Sequence, residues 1–118
     1  MRLLALDTSS SAVTAAVHDG ERLLAEVTEP GAQAHGELLA PVIERALGDS
    51  GTTPRDLTHV VVGTGPGPFT GLRVGLVTAR VMAEALGIPA YGVCSLDAIA
   101  AQAVGEGRVA TAFAVATD

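Results

Sequence analysis

Lysine and tryptophan are absent from this 118-residue chain, and aromatic side chains make up only 3% of it. The seven basic residues are all arginines and lie scattered along the sequence, while the formal net charge is −6. An acidic chain without a basic cluster lacks the electrostatic footprint that binding to nucleic acid or to an anionic membrane surface requires. We therefore expect any contact with RNA to be made through a basic partner.

Cysteine and long apolar runs are also scarce. Cys94 is the single cysteine, so no internal disulfide can form, and no cysteine or histidine spacing resembles a zinc site. No apolar stretch is long enough to cross a membrane as a helix. These features predict a cytoplasmic chain. Its hydrophobic content of 48% is enough for a core, which must be built from alanine, valine, leucine and isoleucine.

The first third of the chain has the pattern of three antiparallel strands. A nearly continuous apolar run over residues 2–7 predicts a strand buried on both faces, and a second run covers residues 12–18. Asp19-Gly20 is typical of a two-residue hairpin turn, after which residues 22–28 supply the third strand. Turns this short leave no room for a helix between these strands.

The rest of the chain alternates helices with strands. The apolar period predicts a helix that closes at Gly48. Pro41 is tolerated only if the helix begins within the turn before it or bends there, so we expect the helix to begin near Glu37. There follow a strand at 59–63, a helix from about Thr70 to Leu86 ended by Gly87, a strand near 89–93 and a helix at 95–104. The resulting element order is βββαβαβα.

This order differs from the alternation of a dinucleotide-binding domain because its first three strands are joined by tight turns. It is the order of one actin-like or ribonuclease-H-like half, an α/β fold in which a mixed five-strand sheet carries helices on both faces. We interpret residues 1–108 as this N-terminal half and residues 109–118 as the first strand of a truncated second half. Ligands of such proteins usually lie between the two halves.

A glycine-rich loop joins the strand at 59–63 to the following helix. Its candidate site residues are four glycines, a threonine suited to cap the helix and an arginine, namely Gly63, Gly65, Gly67, Thr70, Gly71 and Arg73. The Walker pattern fails because Leu72 and Arg73 follow Gly71, and the dinucleotide fingerprint fails because neither reading frame ends in glycine. A helix N-terminus suits both a phosphate and a partner's carbonyl groups, so both interpretations stay open.

Three segments resemble the TsaB (YeaZ) family, and the resemblance spans essentially the whole chain. They read LALDTS at residues 4–9, AHGELL at 34–39 and GTGPGPFTGLR at 63–73. The third is the specific one, since many actin-like proteins begin with a strand that ends in aspartate. The resemblance implies a subunit that takes part in making N6-threonylcarbamoyladenosine in tRNAs that read codons beginning with A.

The same resemblance implies the partners. A TsaD-like paralogue would transfer the threonylcarbamoyl group, and an ATPase of the TsaE type would act on the assembly. This chain would be a required subunit without catalytic residues, and alone it would form a homodimer. No cofactor is expected on this chain by itself, although the complex with the TsaD-like protein could hold an adenine nucleotide. The tRNA would be contacted only indirectly.

Two groups of residues bear on catalysis. A TsaD-type protein would carry two metal-binding histidines four residues apart, whereas His35 is followed four residues later by Leu39. No metal site is therefore expected, and the chemistry of a metallopeptidase is missing. Asp7, Thr8 and Ser9 have the position of a phosphate loop, which we interpret as vestigial. The alternative function is an ATP-dependent phosphotransferase of the actin-like superfamily that uses these residues.

Small residues recur every four positions along the second predicted helix, at Gly71, Gly75, Ala79 and Ala83. Such a stripe lets the helix approach a partner helix closely, but it also fits against the chain's own sheet. The resemblance favours a partner, since TsaB-like proteins pair through the first two helices of this half. The predicted interface residues are His35, Leu39, Val42, Ile43, Gly71, Gly75, Thr78, Ala79 and Met82.

Overall fold

A computed structural model describes residues 1–8, 12–30, 35–65 and 69–93, which form a five-strand sheet and two helices. The elements are β1 (Leu3–Asp7), β2 (Ala12–His18), β3 (Leu23–Pro30), α1 (His35–Ser50), β4 (His59–Gly63), α2 (Phe69–Leu86) and β5 (Ala90–Val93), with a short 3₁₀ helix at Pro54–Asp56. The predicted order is confirmed up to β5. The predicted helix at 95–104 and strand at 109–118 lie outside the described residues.

The sheet has the order β3-β2-β1-β4-β5 and is mixed. β2 pairs antiparallel with both β1 and β3, whereas β4 pairs parallel with both β1 and β5. The connections between the antiparallel strands are short, whereas the parallel strands are joined through helical crossovers, as chain geometry requires. This arrangement confirms the predicted actin-like or ribonuclease-H-like half.

Both described helices pack on one face of the sheet, and the expected helix on the other face stays a prediction because residues 95–104 lie outside the described part of the chain. Successive strand residues point to opposite faces, so Leu4 and Leu6 face the helices while Leu3 lies on the other side with Val61 and Val93. The core under the helices consists of Leu4, Leu6, Val13, Ala15, Val17, Val27, Leu39, Val42, Ile43, Ala46, Leu47, Leu57, Val60, Val62 and Ala79. Neither of the two described helices is long and apolar enough to span a bilayer.

Helix α1 ends at Gly51 and not at Gly48 as predicted. Gly51 has a φ of +67°, its amide donates to the Gly48 carbonyl (3.1 Å), and the Thr52 amide donates to the Leu47 carbonyl (2.9 Å). These two bonds form a Schellman motif, which needs a left-handed residue and therefore favours glycine. Gly87 ends α2 in the same way, as the sequence predicts.

The turn between β2 and β3 also differs from the prediction, because it has four residues and not two. Strand β2 ends at His18 and β3 begins at Leu23. The Asp19 carboxylate accepts hydrogen bonds from the amides of Glu21 and Arg22, both at 2.8 Å. These bonds stabilise the longer turn, and they lower the pKa of Asp19 because they favour its charged form.

Candidate functional site

The carboxyl ends of the parallel strands β1, β4 and β5 meet at one edge of the sheet. In open α/β sheets this edge is the general place for ligands. Asp7 and Thr8 lie at the end of β1, and Thr64 follows β4. The amide and the hydroxyl of Thr64 both donate to the Val93 carbonyl, at 2.8 Å and 3.1 Å. The glycine-rich loop therefore begins from a point fixed to the end of β5.

Thr8 lies at this edge, directly after β1, and contacts α2. Its side chain is fully buried. The hydroxyl donates to the Gly71 carbonyl (2.5 Å) and accepts from the Gly75 amide (3.1 Å). It therefore links the backbone groups of two residues that lie one helical turn apart. Thr8 therefore connects the end of β1 directly to the first turns of α2.

Gly75 is the residue that permits this contact. A Cβ atom at position 75 would lie 2.5 Å from Oγ1 of Thr8, closer than real Cβ contacts. Only glycine leaves enough room for the threonine side chain against the helix backbone. The Thr8 hydroxyl hydrogen is used inside the fold, and the interpretation of Asp7, Thr8 and Ser9 as a vestigial phosphate loop stays a prediction. Ser9 lies outside the described residues.

The predicted partner stripe on α2 faces the chain's own sheet. Gly71, Gly75 and Ala79 are buried. The same holds for the α1 candidates Leu39, Val42 and Ile43, all of which belong to the core, while Thr78 and Met82 are half-buried. The prediction that this face meets a partner is therefore wrong, since a helix–sheet contact also favours small residues. The side chain of His35 lies outside what the structure describes.

The opposite face of α2 exposes apolar side chains that the sequence-based interface did not include. Exposure reaches 37% for Leu76, 54% for Val77 and 58% for Val81. In the part of the chain that the structure describes, the other exposed large hydrophobic residues are Met1 and Leu23. We call Leu76, Val77 and Val81 the outer α2 patch. The sequence signal that could have revealed this patch is a second apolar stripe, next to the small-residue stripe of the same helix.

The glycine-rich loop is described at its two ends. Gly63 and Gly65 are buried, and Gly65 has a φ of +96°, a left-handed conformation that favours glycine. Arg73 is exposed on the second turn of α2, beyond the buried Gly71. Gly67 and the side chain of Thr70 lie outside what the structure describes. The role of the loop in binding a phosphate or a partner stays a prediction.

The other histidines have structural contacts. His18 is buried, and its Nδ1 atom accepts a hydrogen bond from the Gly20 amide (2.9 Å). His59 stacks on Tyr91 with the ring centroids 6.1 Å apart. Burial lowers the pKa of both histidines because it disfavours the charged ring. Within residues 1–8, 12–30, 35–65 and 69–93, no three His, Cys, Asp or Glu residues form a group able to hold a metal ion.

Comparison with known protein sequences identifies relatives of this chain. The model of a family described as TsaD, tRNA N6-adenosine threonylcarbamoyltransferase, matches residues 22–116. An uncharacterised protein of Mycobacterium tuberculosis is 50% identical over 116 residues, which cover 92% of this chain and 53% of the relative. The tRNA threonylcarbamoyladenosine biosynthesis protein TsaB of Bacillus subtilis is 35% identical, covering 86% of this chain and 44% of that protein. The chain spans about half the length of these curated relatives.

Solved structures share the fold. YeaZ from Pseudomonas aeruginosa superposes with a TM-score of 0.80 at 32% identity, covering 86% of this chain and 47% of that one. A ROK hexokinase from Thermus thermophilus superposes with a TM-score of 0.58 at 29% identity, covering 86% of this chain and 37% of that one. In both comparisons the similarity covers less than half of the longer protein.

Proposed function

The chain belongs to the TsaB (YeaZ) family, and on that premise we propose that it is a non-catalytic subunit of a tRNA-modifying assembly. Its partner in this proposal is a TsaD-like transferase, and the product is N6-threonylcarbamoyladenosine in tRNAs that read codons beginning with A. The name of the Bacillus subtilis relative and the description of the matching family model support the pathway. The partnership is supported by the surface of α2.

The outer α2 patch is the observation that carries the proposal. Leu76, Val77 and Val81 lie on consecutive turns of one helix and present large apolar side chains to water. Apolar side chains exposed close together mark interaction sites when polar residues surround them, and the exposed Arg80–Glu84 ion pair lies on the same helix. The charge of −6 makes a direct RNA surface unfavourable, so a protein that covers the patch is the better occupant.

Two contacts support a non-catalytic role over the rival phosphotransferase. In the phosphotransferase hypothesis the Thr8 hydroxyl would donate a hydrogen bond to a phosphate group. In the structure this hydroxyl is hydrogen-bonded to Gly71 and Gly75 inside the fold. Leu39, at the position where a second metal-binding histidine would stand, is part of the core. Thr8 therefore does not fit a phosphate held by this chain alone. We keep in the proposal that the complex of this chain with the TsaD-like partner holds an adenine nucleotide. The non-catalytic role proposed for this chain does not depend on that nucleotide.

The remaining parts of the assembly follow from the family. An ATPase of the TsaE type acts on the complex in this proposal, and tRNA is contacted through the other subunits because this chain is acidic. The chain alone forms a homodimer through the same helix face, since one apolar patch can serve two partners in turn. The assembly works in the cytoplasm, where tRNA is modified.

Co-elution with light scattering tests the partnership and offers a closely matched control. Leu76 on the outer α2 patch is 37% exposed and Leu23 at the start of β3 is 38% exposed. Leu76→Asp and Leu23→Asp are therefore the same substitution at equal exposure on different surfaces. Each variant, together with Val81→Asp, is mixed with the cognate TsaD-like protein after circular dichroism has confirmed that it is folded.

We expect the unchanged chain and Leu23→Asp to form a defined heteromer, and Leu76→Asp and Val81→Asp to lose it. A carboxylate in the centre of an apolar contact is desolvated without a partner, which typically costs several kcal/mol. Equal binding by all variants would place the contact elsewhere on the chain. If the unchanged chain itself does not bind, the proposed partnership is wrong for this part of the protein. The molar mass of the chain without the TsaD-like protein, measured by light scattering, tests the proposed homodimer. A monomeric mass would show that this part of the proposal is wrong.

A further inference from the structure

The contact between Thr8 and α2 has a consequence beyond packing. A threonine hydroxyl has one hydrogen to donate, and that of Thr8 goes to the Gly71 carbonyl. The same oxygen accepts from the Gly75 amide, which lies one helical turn further along. Both bonds are buried, where hydrogen bonds are poorly replaced by water. The hydroxyl therefore fixes both the distance and the rotation of this turn of α2 relative to β1.

The contact sets how closely α2 approaches the sheet. At Gly75 no side chain separates the helix backbone from Thr8, and a Cβ there would meet Oγ1 at 2.5 Å. One turn later the spacing depends on Ala79, whose side chain is buried in the core. The amino-terminal half of α2 therefore has a polar contact of defined geometry with Thr8 in addition to the packing of Val74, and the next turn is held by apolar packing.

The outer α2 patch begins immediately after this contact. Leu76 and Val77 directly follow Gly75, and their side chains are exposed while Gly75 is buried. A helix moves as a rigid body over one or two turns, so a shift at Gly75 displaces these side chains as well. Shape complementarity at a docked apolar surface is sensitive to such displacements.

We propose that Thr8 is a positioning residue for the outer α2 patch, holding it in the geometry that a partner recognises. The inference rests on the proposed function, because it assumes that the patch is the docking surface. In this proposal Thr8, which follows β1, supports a protein contact that α2 makes. The contact requires both the hydroxyl of Thr8 and the absence of a side chain at Gly75.

Three substitutions separate the hydroxyl from other features of the site. Thr8→Val removes the hydroxyl and keeps the shape, whereas Thr8→Ser keeps the hydroxyl. Thr64→Val is the matched control, since the Thr64 hydroxyl lies at the same edge of the sheet and donates to the Val93 carbonyl of β5 instead of to a residue of α2. For each variant we would measure the affinity for the TsaD-like protein and the methyl NMR resonances of Val77 and Val81, after unfolding curves have shown that it is folded.

We expect Thr8→Val to weaken binding about tenfold or more, and Thr8→Ser and Thr64→Val to bind within about threefold of the unchanged chain. In Thr8→Val the Val77 and Val81 methyl resonances should also shift. If binding and these resonances are unchanged in Thr8→Val, or if Thr8→Ser is as weak as Thr8→Val, the proposal is wrong. If the unchanged chain does not bind, the proposed function fails, and the methyl resonances alone decide whether Thr8 positions the patch.

Discussion

Gly75→Ala adds one methyl group at a tightly packed point of α2, and we expect it to destabilise the fold. The added Cβ would lie 2.5 Å from Oγ1 of Thr8 and 3.5 Å from its Cβ and Cγ2 atoms. Thr8 cannot turn outward into solvent because its side chain is fully buried. Either the hydroxyl leaves its two hydrogen bonds or α2 moves away from the sheet.

Three effects set the size of the loss. Overpacking a well-filled core costs about 1–3 kcal/mol, and displacing the hydroxyl from its bonds to Gly71 and Gly75 adds about 1 kcal/mol. Alanine forms helices better than glycine by about 1 kcal/mol, which acts in the opposite direction. The net expectation for Gly75→Ala is a decrease of about 1–3 kcal/mol in the free energy of unfolding.

Urea titration followed by circular dichroism measures this free energy, with Gly48→Ala as the matched control. Gly48 lies in α1, where an added Cβ would meet no atom within 4 Å. The same substitution there should leave the stability unchanged or raise it by up to about 1 kcal/mol. If Gly75→Ala proves as harmless as Gly48→Ala, the reasoning about the contact with Thr8 is refuted.

A double substitution separates the steric clash from any other effect of Gly75→Ala. Thr8→Ala removes the hydroxyl and the methyl group that the new Cβ would meet, so Gly75→Ala should cost little in that background. The difference between the two costs is the interaction free energy of the pair, expected at about 1–3 kcal/mol. An equal cost in both backgrounds would mean that something other than Thr8 opposes the added methyl group.

Three further predictions concern other parts of the fold. Burial lowers the pKa of His18, so the free energy of unfolding should fall as the pH drops from about 7 towards 5, below the ordinary pKa of the unfolded state, and His18→Gln should show a shallower dependence. Gly51→Ala should cost about 1–2 kcal/mol in urea titration, because φ is +67° there. Arg45→Ala should change stability by less than about 0.5 kcal/mol, since its ion pair with Glu29 is exposed.

Apolar runs predict the strands well because a central strand needs apolar side chains on both faces over its whole length. β2 and β4 have the predicted bounds. The end of α1 was not predictable in the same way, since Gly48 and Gly51 are both suited to end a helix. The longer helix brings Thr52 to Arg2, whose Nη1 atom donates to its hydroxyl at 2.7 Å. This contact joins residues 50 positions apart, and local sequence patterns do not include it.

The candidate site was predictable as a set of residues but not as a set of contacts. Asp7, Thr8 and the glycine-rich loop do meet at the carboxyl edge of the parallel strands, as the element order requires. The partner of Thr8 was not evident, because threonine after a strand suits a phosphate as well as a helix. The complementarity between Thr8 and Gly75 depends on how closely α2 approaches the sheet, which only the packed structure shows.

Periodicity also cannot decide which of two stripes on one helix faces the sheet. The core side of α2 carries small residues, and its outer side carries Leu76, Val77 and Val81. The sheet and α1 supply most of the buried residues in that core, so α2 approaches closely with glycine and alanine, packs Val74, Met82 and Leu86 against the core edge and leaves the outer α2 patch exposed. Folding of this chain leaves those side chains partly exposed to water. A second surface that covered them would bury the rest, and for this reason the proposed interface uses the same helix as the family resemblance but its opposite face.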